Sequence, residues 1–232
     1  PEANYAGVFS YDLKNFIEPK LFSKNPSTTD TSFAAFFKPQ ITIEFKNYQQ
    51  VEVQSVEYDP QKIVNEINSR EPNASHSSKK IDFKAKINRE EYLQKVELFK
   101  QHIKQGDIYE INFCMEFFSE VKNLEIVKTY LALNESSAPP FSALLKIKDF
   151  FIISASPERF LKKKGAKLIS QPIKGTRKRA YNLKEDIFLK QELANDKKEI
   201  AENVMIVDLV RNDLTKYAQR GSIQVEELFG IY

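Results

Sequence analysis

The sequence predicts an α+β fold, with mostly antiparallel sheets packed against helices. Three observations point there. Short segments alternate apolar and polar residues, as in Ile41-Thr-Ile-Glu-Phe45 and at Ile81, Phe83, Ala85 and Ile87, which is the period of a half-buried strand. Other segments repeat apolar residues every three or four positions and open on helix caps at Asn88 and Asn182. The two kinds follow one another irregularly, unlike the strict alternation of a βαβ chain.

Taken in order, Tyr5 to Tyr11 already reads as structured chain. The strand at Ile41–Phe45 is continued beyond a turn by Val51, Val53 and Tyr58. Asp59-Pro60 is an N-cap followed by proline at the first helical position, opening a short helix to about Ser69 that should bury Ile63, Val64 and Ile67. Arg70 to Lys80 lacks an apolar anchor and reads as a loop, with His76 a solvated loop histidine. Ile81 to Ile87 reads as a strand. Asn88-Arg-Glu-Glu91 is a capping box for a helix that buries Tyr92, Val96, Phe99 and Ile103, closed by Gly106 in the left-handed conformation.

Asp107 to Glu120 reads as a long strand with Tyr109, Ile111, Phe113, Met115 and Phe117 on one face. Glu110 and Asn112 on the other face either line a cavity or face water. Leu124 to Leu133 is helical, and Pro139-Pro140 closes it. Two hairpins follow, Phe141–Lys148 with Phe150–Ser154 and Leu161–Gly165 with Lys167–Ile173. A second capping box, Asn182-Leu-Lys-Glu185, opens a charged helix, and another helix runs from about Asp196 to Val210. The chain from Gly221 returns to a strand.

Composition narrows the chemistry. The 232 residues carry 35 Lys and Arg against 32 Asp and Glu, a net charge of +3. One Cys and two His cannot build a Cys/His zinc site, and the lone Cys114 excludes an internal disulfide and suits a reducing compartment. With six Gly, neither Gly-rich nucleotide motif occurs. No apolar run approaches the ~20 residues that span a bilayer. The start, Pro-Glu-Ala-Asn-Tyr5, shows no signal peptide and no initiator Met, and both ends look abrupt, as expected of a piece of a longer polypeptide. What remains is carboxylate, lysine and hard-metal chemistry.

Three segments carry candidates. In Ser154-Ala-Ser-Pro-Glu-Arg159, Ser156 and Pro157 are expected to open a helical turn. Glu158 would then be a first-turn carboxylate, placed for stability or for chemistry. In Gln171-Pro-Ile-Lys-Gly-Thr-Arg-Lys-Arg179, Lys174 projects where the backbone bends at Gly175. A partly buried lysine among other cations holds a lowered pKa and is a nucleophile or base, and the alternative is a basic turn. Lys162, Lys163, Lys164, Lys167, Lys174, Arg177, Lys178 and Arg179 form a dense cationic stretch that is solvated, binds a small anion or binds nucleic acid. In Lys198 to Asp213, Glu199 and Glu202 share one helix face. Two carboxylates there need a cation between them, for which Mg²⁺ is the natural choice, or solvent to screen them. Asp208 and Asp213 are less well placed for a metal, and Arg211-Asn-Asp213 after the apolar helix equally suits a buried ion-pair turn.

These segments together resemble the chorismate-binding enzyme family, which includes anthranilate synthase component I, aminodeoxychorismate synthase component I, isochorismate synthase and salicylate synthase. The matching text is Tyr11-Asp-Leu, Gly106-Asp-Ile-Tyr-Glu-Ile-Asn112, Ser156-Pro-Glu-Arg-Phe160, Pro172-Ile-Lys-Gly-Thr176 and Ala201-Glu-Asn-Val-Met-Ile-Val-Asp-Leu-Val-Arg-Asn-Asp-Leu214. Five blocks in the family's order cover nearly the whole chain. Lysine within Pro-Ile-Lys-Gly-Thr looks like the aminodeoxychorismate synthase, para-aminobenzoate branch, because anthranilate synthases have Ala at that place.

The resemblance implies the fold of anthranilate synthase component I and a folate-pathway reaction of chorismate with ammonia. It implies Lys174 as covalent nucleophile, Glu158 as general acid, and Gly175 and Thr176 as substrate-binding residues, Thr176 donating a hydrogen bond. It also implies Glu202 as Mg²⁺ ligand, Glu199 holding a metal-bound water, and a separate glutamine amidotransferase subunit supplying ammonia in the cytoplasm. No nucleic acid and no membrane are implied. Residues 1–80 would be the remainder of an N-terminal subregion and a linker, and 81–232 an incomplete catalytic region. The family's later His-containing strand, Gly-Gly-Ser block and second pair of Glu ligands are not in this chain, so it would be the interior of a larger domain. Gln171 stands where Arg is common, and Glu110 where Gln is common. Other readings are anthranilate or isochorismate synthesis, a non-catalytic polyanion-binding module, and an inactive fragment or regulatory paralogue.

Overall fold

Among the residues described by the computed structural model, 4–18, 20–21, 34–70 and 80–231, each β ladder is two strands wide. In chain order the elements begin with β1 (Ala6–Phe9), α1 (Lys14–Ile17), β2 (Ala34–Phe37), β3 (Ile41–Asn47), β4 (Gln50–Ser55), α2 (Pro60–Ser69), β5 (Lys84–Ala85) and α3 (Arg89–Gln105). They continue with β6 (Phe117–Phe118), α4 (Ile126–Ser137), β7 (Phe141–Ile147), β8 (Phe150–Ser156), β9 (Arg159–Lys164), β10 (Lys167–Gln171), α5 (Leu183–Asn195) and α6 (Lys197–Thr215). Helices and antiparallel pairs together make the α+β class that the sequence predicts.

The chain divides into two compact units. The first is Pro1–Ser136 with Leu144–Ile152, and the second is Ser137–Ala143 with Ile153–Tyr232. The division after residue 80 remains a proposal about family parts, and the compact units are cut elsewhere.

In the first unit, β1 pairs with β2 and β3 with β4, both antiparallel. Asn47 makes the β3–β4 turn by accepting the Gln49 N–H at 2.8 Å, a bond that Asn is well shaped to make. Asp59 caps α2 by accepting from Gln61 N at 3.0 Å, with Pro60 at the first position as expected. Ile63 and Val64 are half-buried, but Ile67 is exposed. Residues 71–79, including His76, lie outside the described residues.

Asn88 caps α3 through Glu91 N at 2.9 Å. The Glu91 carboxylate pairs with Lys95 at 3.0 Å, so its side chain serves an ion pair one turn on. Tyr92 and Phe99 from α3 pack on Phe113, with ring centroids 4.9 and 5.0 Å apart. Val96 is half-buried, whereas Ile103 is exposed. Gly106 ends the helix with φ +82°.

Two expected strands are much shorter. Between Ile81 and Ile87 only Lys84–Ala85 is paired, and between Asp107 and Glu120 only Phe117–Phe118, with Lys84 opposite Phe118 and Ala85 opposite Phe117. Alternation prepares a strand, but a ladder needs a partner of equal length. Glu110 is half-buried and Asn112 exposed.

In the second unit, the β9–β10 register passes from Ile169 opposite Lys162 to Gln171 opposite Arg159, so β9 carries one extra residue. Asn182 caps α5 through Lys184 N and Glu185 N, and Asp196 caps α6. Helix α6 continues to Thr215, beyond the expected end. Arg211–Asp208 and Lys216–Asp213, each 3.1 Å, are therefore exposed pairs along a helix, in place of the expected buried turn. From Gly221 on, the described residues form no strand. The β7–β8 hairpin turns at Lys148, within the Leu144–Ile152 segment of the first unit, where φ is +54°.

Candidate active site

The candidate residues gather in the second unit around a cavity of about 1000 Å³. Lys174, Gly175 and Thr176 line it from the loop after β10, and Glu199 lines it from the first turn of α6. Glu202 lies one turn further along α6 and is half-buried. Pro157 and Arg159 line the cavity on either side of Glu158.

Glu158 does not begin a helix. β8 ends at Ser156 and β9 starts at Arg159, so Pro157-Glu158 is a two-residue strand connection. The Ser156 hydroxyl holds it from both sides, accepting from Glu158 N at 3.2 Å and donating to Glu158 O at 3.1 Å. Ser-Pro suits a turn as well as a helix start, and strands on both sides decide for the turn. The Glu158 carboxylate accepts from Ile173 N at 3.2 Å, one residue before Lys174. The Glu158 carboxylate is thereby fixed to the backbone next to Lys174.

Gly175 has φ +79°, and a side-chain carbon built on it would stand 2.8 Å from Glu199 Oε2 and 3.2 Å from Glu199 Cβ. Only glycine lets the loop turn here and approach α6 this closely.

A lysine of the chain lies against both Glu199 and Glu202. Lys198 Nζ stands 2.8 Å from Glu202 Oε1 and 3.6 Å from Glu199 Oε1. Hydrogen bonding to Glu202 first, and the charges of both carboxylates next, raise the Lys198 pKa above its ordinary value. Among the described residues no three His, Cys, Asp or Glu side chains converge as a metal site. The Glu199–Glu202 pair nevertheless fits Mg²⁺, which takes one or two carboxylates and keeps water on its other positions. Both carboxylates already face one cation, the Lys198 ammonium.

Sequence reasoning missed the acidic partners of the basic loop. Arg177 donates to Asp196 Oδ2 at 2.8 Å and lies 3.8 Å from Glu192. Arg179 makes a fork onto Asp186, with bonds of 2.7 to 3.0 Å. Arg159 Nε donates to Gln171 Oε1 at 2.9 Å, and its guanidinium covers the Phe141 ring at 4.6 Å. Lys167 pairs with Glu226. The cationic stretch is thus partly neutralised, and Arg177 and Arg179 serve as struts between the loop and the α5 and α6 helices. The Arg179 bond and then the Ala180 N–H hold Asp186 below the ordinary carboxylate range. Asp196 is lowered chiefly by the Glu199 N–H, then by Lys198 N–H and Arg177. The signal for Asp196 was its place as N-cap, but its arginine partner is 19 residues away in sequence.

No described helix is long and apolar enough to cross a membrane.

Comparison with known proteins follows the same lines. The family described as chorismate binding enzyme matches residues 1–232. Aminodeoxychorismate synthase component 1 of Klebsiella aerogenes is 37% identical over 147 residues, covering 63% of this chain and 32% of that protein. Anthranilate synthase component 1 of Thermus thermophilus is 35% identical over 145 residues, covering 62% and 31%. The crystal structure of anthranilate synthase component I from Streptococcus pneumoniae TIGR4 superposes with a TM-score of 0.82 at 23% identity, covering 97% of this chain and 52% of that one. The fold is therefore that of anthranilate synthase component I. The chain spans about half of that solved chain, and its matches span about a third of the two curated relatives.

Proposed function

The chain belongs to the chorismate binding enzyme family, and from that premise we propose that the whole protein is an aminodeoxychorismate synthase component I. The reaction is chorismate plus ammonia giving 4-amino-4-deoxychorismate and water. The observation that carries this reading is Lys174, on the cavity wall beside Glu199 and one residue beyond the backbone N–H that holds Glu158.

The Lys174 amine adds at C2 of chorismate, both double bonds of the ring diene shift, and the C4 hydroxyl leaves. Glu158 gives that hydroxyl its proton, so it departs as water. Ammonia then adds at C4, both double bonds shift back, and the lysine leaves C2 as an amine. Two displacements replace one difficult substitution. Glu202 would hold Mg²⁺ directly and Glu199 through water, and the bound ion would neutralise the ring carboxylate and draw electron density from the diene. Thr176 donates a hydrogen bond to the substrate, and the Gly175 backbone lets the substrate approach. A glutamine amidotransferase subunit supplies the ammonia in the cytoplasm. The neutralised arginines leave less free charge for the polyanion-binding alternative.

The test uses the full-length protein with chorismate, ammonium and Mg²⁺, and products resolved by chromatography. Aminodeoxychorismate is expected, and its loss in Lys174→Ala. Anthranilate or isochorismate as the product, or full turnover by Lys174→Ala, overturns the reading.

A further inference from the structure

We propose that Asp196 is a positioning residue that, through Arg177, fixes the loop carrying Lys174 against the helix carrying Glu199 and Glu202. The inference deepens the reading of Lys174 as nucleophile and rests on it.

The two oxygens of Asp196 do separate work. Oδ1 accepts from Lys198 N at 3.0 Å and Glu199 N at 3.3 Å, which caps α6 and fixes where its first turn starts. Oδ2 accepts from Arg177 Nη2 at 2.8 Å. Arg177 is three residues after Lys174, and its second carboxylate, Glu192, lies 3.8 Å away on the last turn of α5. One guanidinium therefore ties the lysine loop to the end of α5 and the start of α6. The Arg177 and Asp196 side chains are only 33% and 27% exposed, so the bond is partly shielded from water.

Precision matters at this junction because the loop and α6 leave no room for a side chain at Gly175, where an added carbon would stand 2.8 Å from Glu199 Oε2. A loop released by Arg177 slides on α6, moving the Lys174 amine relative to Glu199. Misplacement of a reacting group by about 1 Å costs on the order of a hundredfold in rate. A cap alone needs only Oδ1. A carboxylate using its second oxygen on the neighbouring loop sets the two halves of the site in register.

The distinguishing variants separate cap from tie, in the full-length protein. Asp196→Asn keeps an oxygen for the cap but turns an amide group toward Arg177. Arg177→Gln breaks the tie from the other side and leaves Asp196 untouched. Measured for each are the melting temperature, kcat and KM for chorismate, and the rate at which an acylating reagent modifies Lys174, read by peptide mass spectrometry. Both variants should melt within a few degrees of the parent, lose about tenfold in kcat with little change in KM, and alter the Lys174 labelling rate. The double variant should be no worse than either single one, since the two act through one bond. Arg177→Lys, which keeps a cation but not the planar guanidinium, should recover part of the loss. Unchanged kcat and labelling in both single variants, or additive losses in the double, overturn the proposal. If the parent makes no aminodeoxychorismate while labelling still responds to both variants, the positioning role stands and the reaction assignment falls.

Discussion

Gly175 and Glu199 approach so closely that a methyl group on the glycine would stand 2.8 Å from the Glu199 carboxylate oxygen. The contact joins the loop that carries Lys174 to the first turn of α6. It sets the Pro172–Thr176 block against the turn that leads into the Ala201–Leu214 block, although 24 positions separate the two residues, 199 − 175.

Gly175→Ala should accordingly be a severe substitution. The residue sits at φ +79°, where a side chain costs about 1–2 kcal/mol in backbone strain alone. The carboxylate tip of Glu199 can swing away, but its Cβ, 3.2 Å from the added atom, can move only with the helix. A melting temperature several degrees lower and a turnover reduced more than tenfold are expected in the full-length protein. A variant as stable and active as its parent would show that the approach is incidental.

Lys198 stands where a divalent ion between Glu199 and Glu202 would put its charge. Its side chain is 71% exposed and its pairs are short-range, so an incoming ion can displace it. Lys198→Met keeps the stem and removes the competitor. Mg²⁺ affinity, measured by calorimetry, should rise about two- to tenfold from the lost pair and the lost repulsion. Glu202→Gln should lower it. Equal affinity in all three proteins would rule out a metal on this pair.

What the sequence made legible was local. Caps at Asp59, Asn88 and Asn182 each depend on residues within three positions, and each forms. Gly106 and Gly175 announced their bends because left-handed backbone has few other candidates. The blocks of Lys174, Glu158 and Glu202 were recognisable by their text, and the Lys174 loop adjoins both others, through Ile173 N–H to Glu158 and through Gly175 to Glu199 just ahead of the Glu202 block. Less legible was anything needing a distant partner. The Asp107–Glu120 alternation has a strand's pattern but a two-residue ladder. Arg177 and Arg179 read as uncompensated charge because Asp196 and Asp186 lie 19 and seven residues on. Ser156-Pro157 read as a helix start, and the strands on either side make it a turn instead.

Asp186 links stability to pH. Its pKa is held below the ordinary range, first by Arg179 and then by the Ala180 N–H. A carboxylate with a depressed folded-state pKa contributes stability that is fully present above its unfolded pKa and lost as pH falls through the folded value. The melting temperature should therefore decline from about pH 4 downward, where an unfolded aspartate takes up its proton. Asp186→Asn should be less stable than the parent at neutral pH, and the gap should close on acidification. A gap that stays constant from pH 7 to pH 3 would mean that the Arg179 fork contributes nothing through charge.

Glu158 offers a separation of anchor from acid. Its carboxylate accepts the Ile173 N–H at 3.2 Å, and a glutamine oxygen can accept the same bond. Glu158→Gln should thus leave the loop before Lys174 in place and the melting temperature nearly unchanged. On the proposed reaction it removes the proton that the departing hydroxyl would need, a loss on the order of 10²- to 10⁴-fold in kcat for a general acid. Glu158→Ala, which removes anchor and acid together, should lose stability as well as turnover. If the glutamine variant turns over at the parent rate, Glu158 is an anchor only, and the proton reaches the leaving hydroxyl from another group.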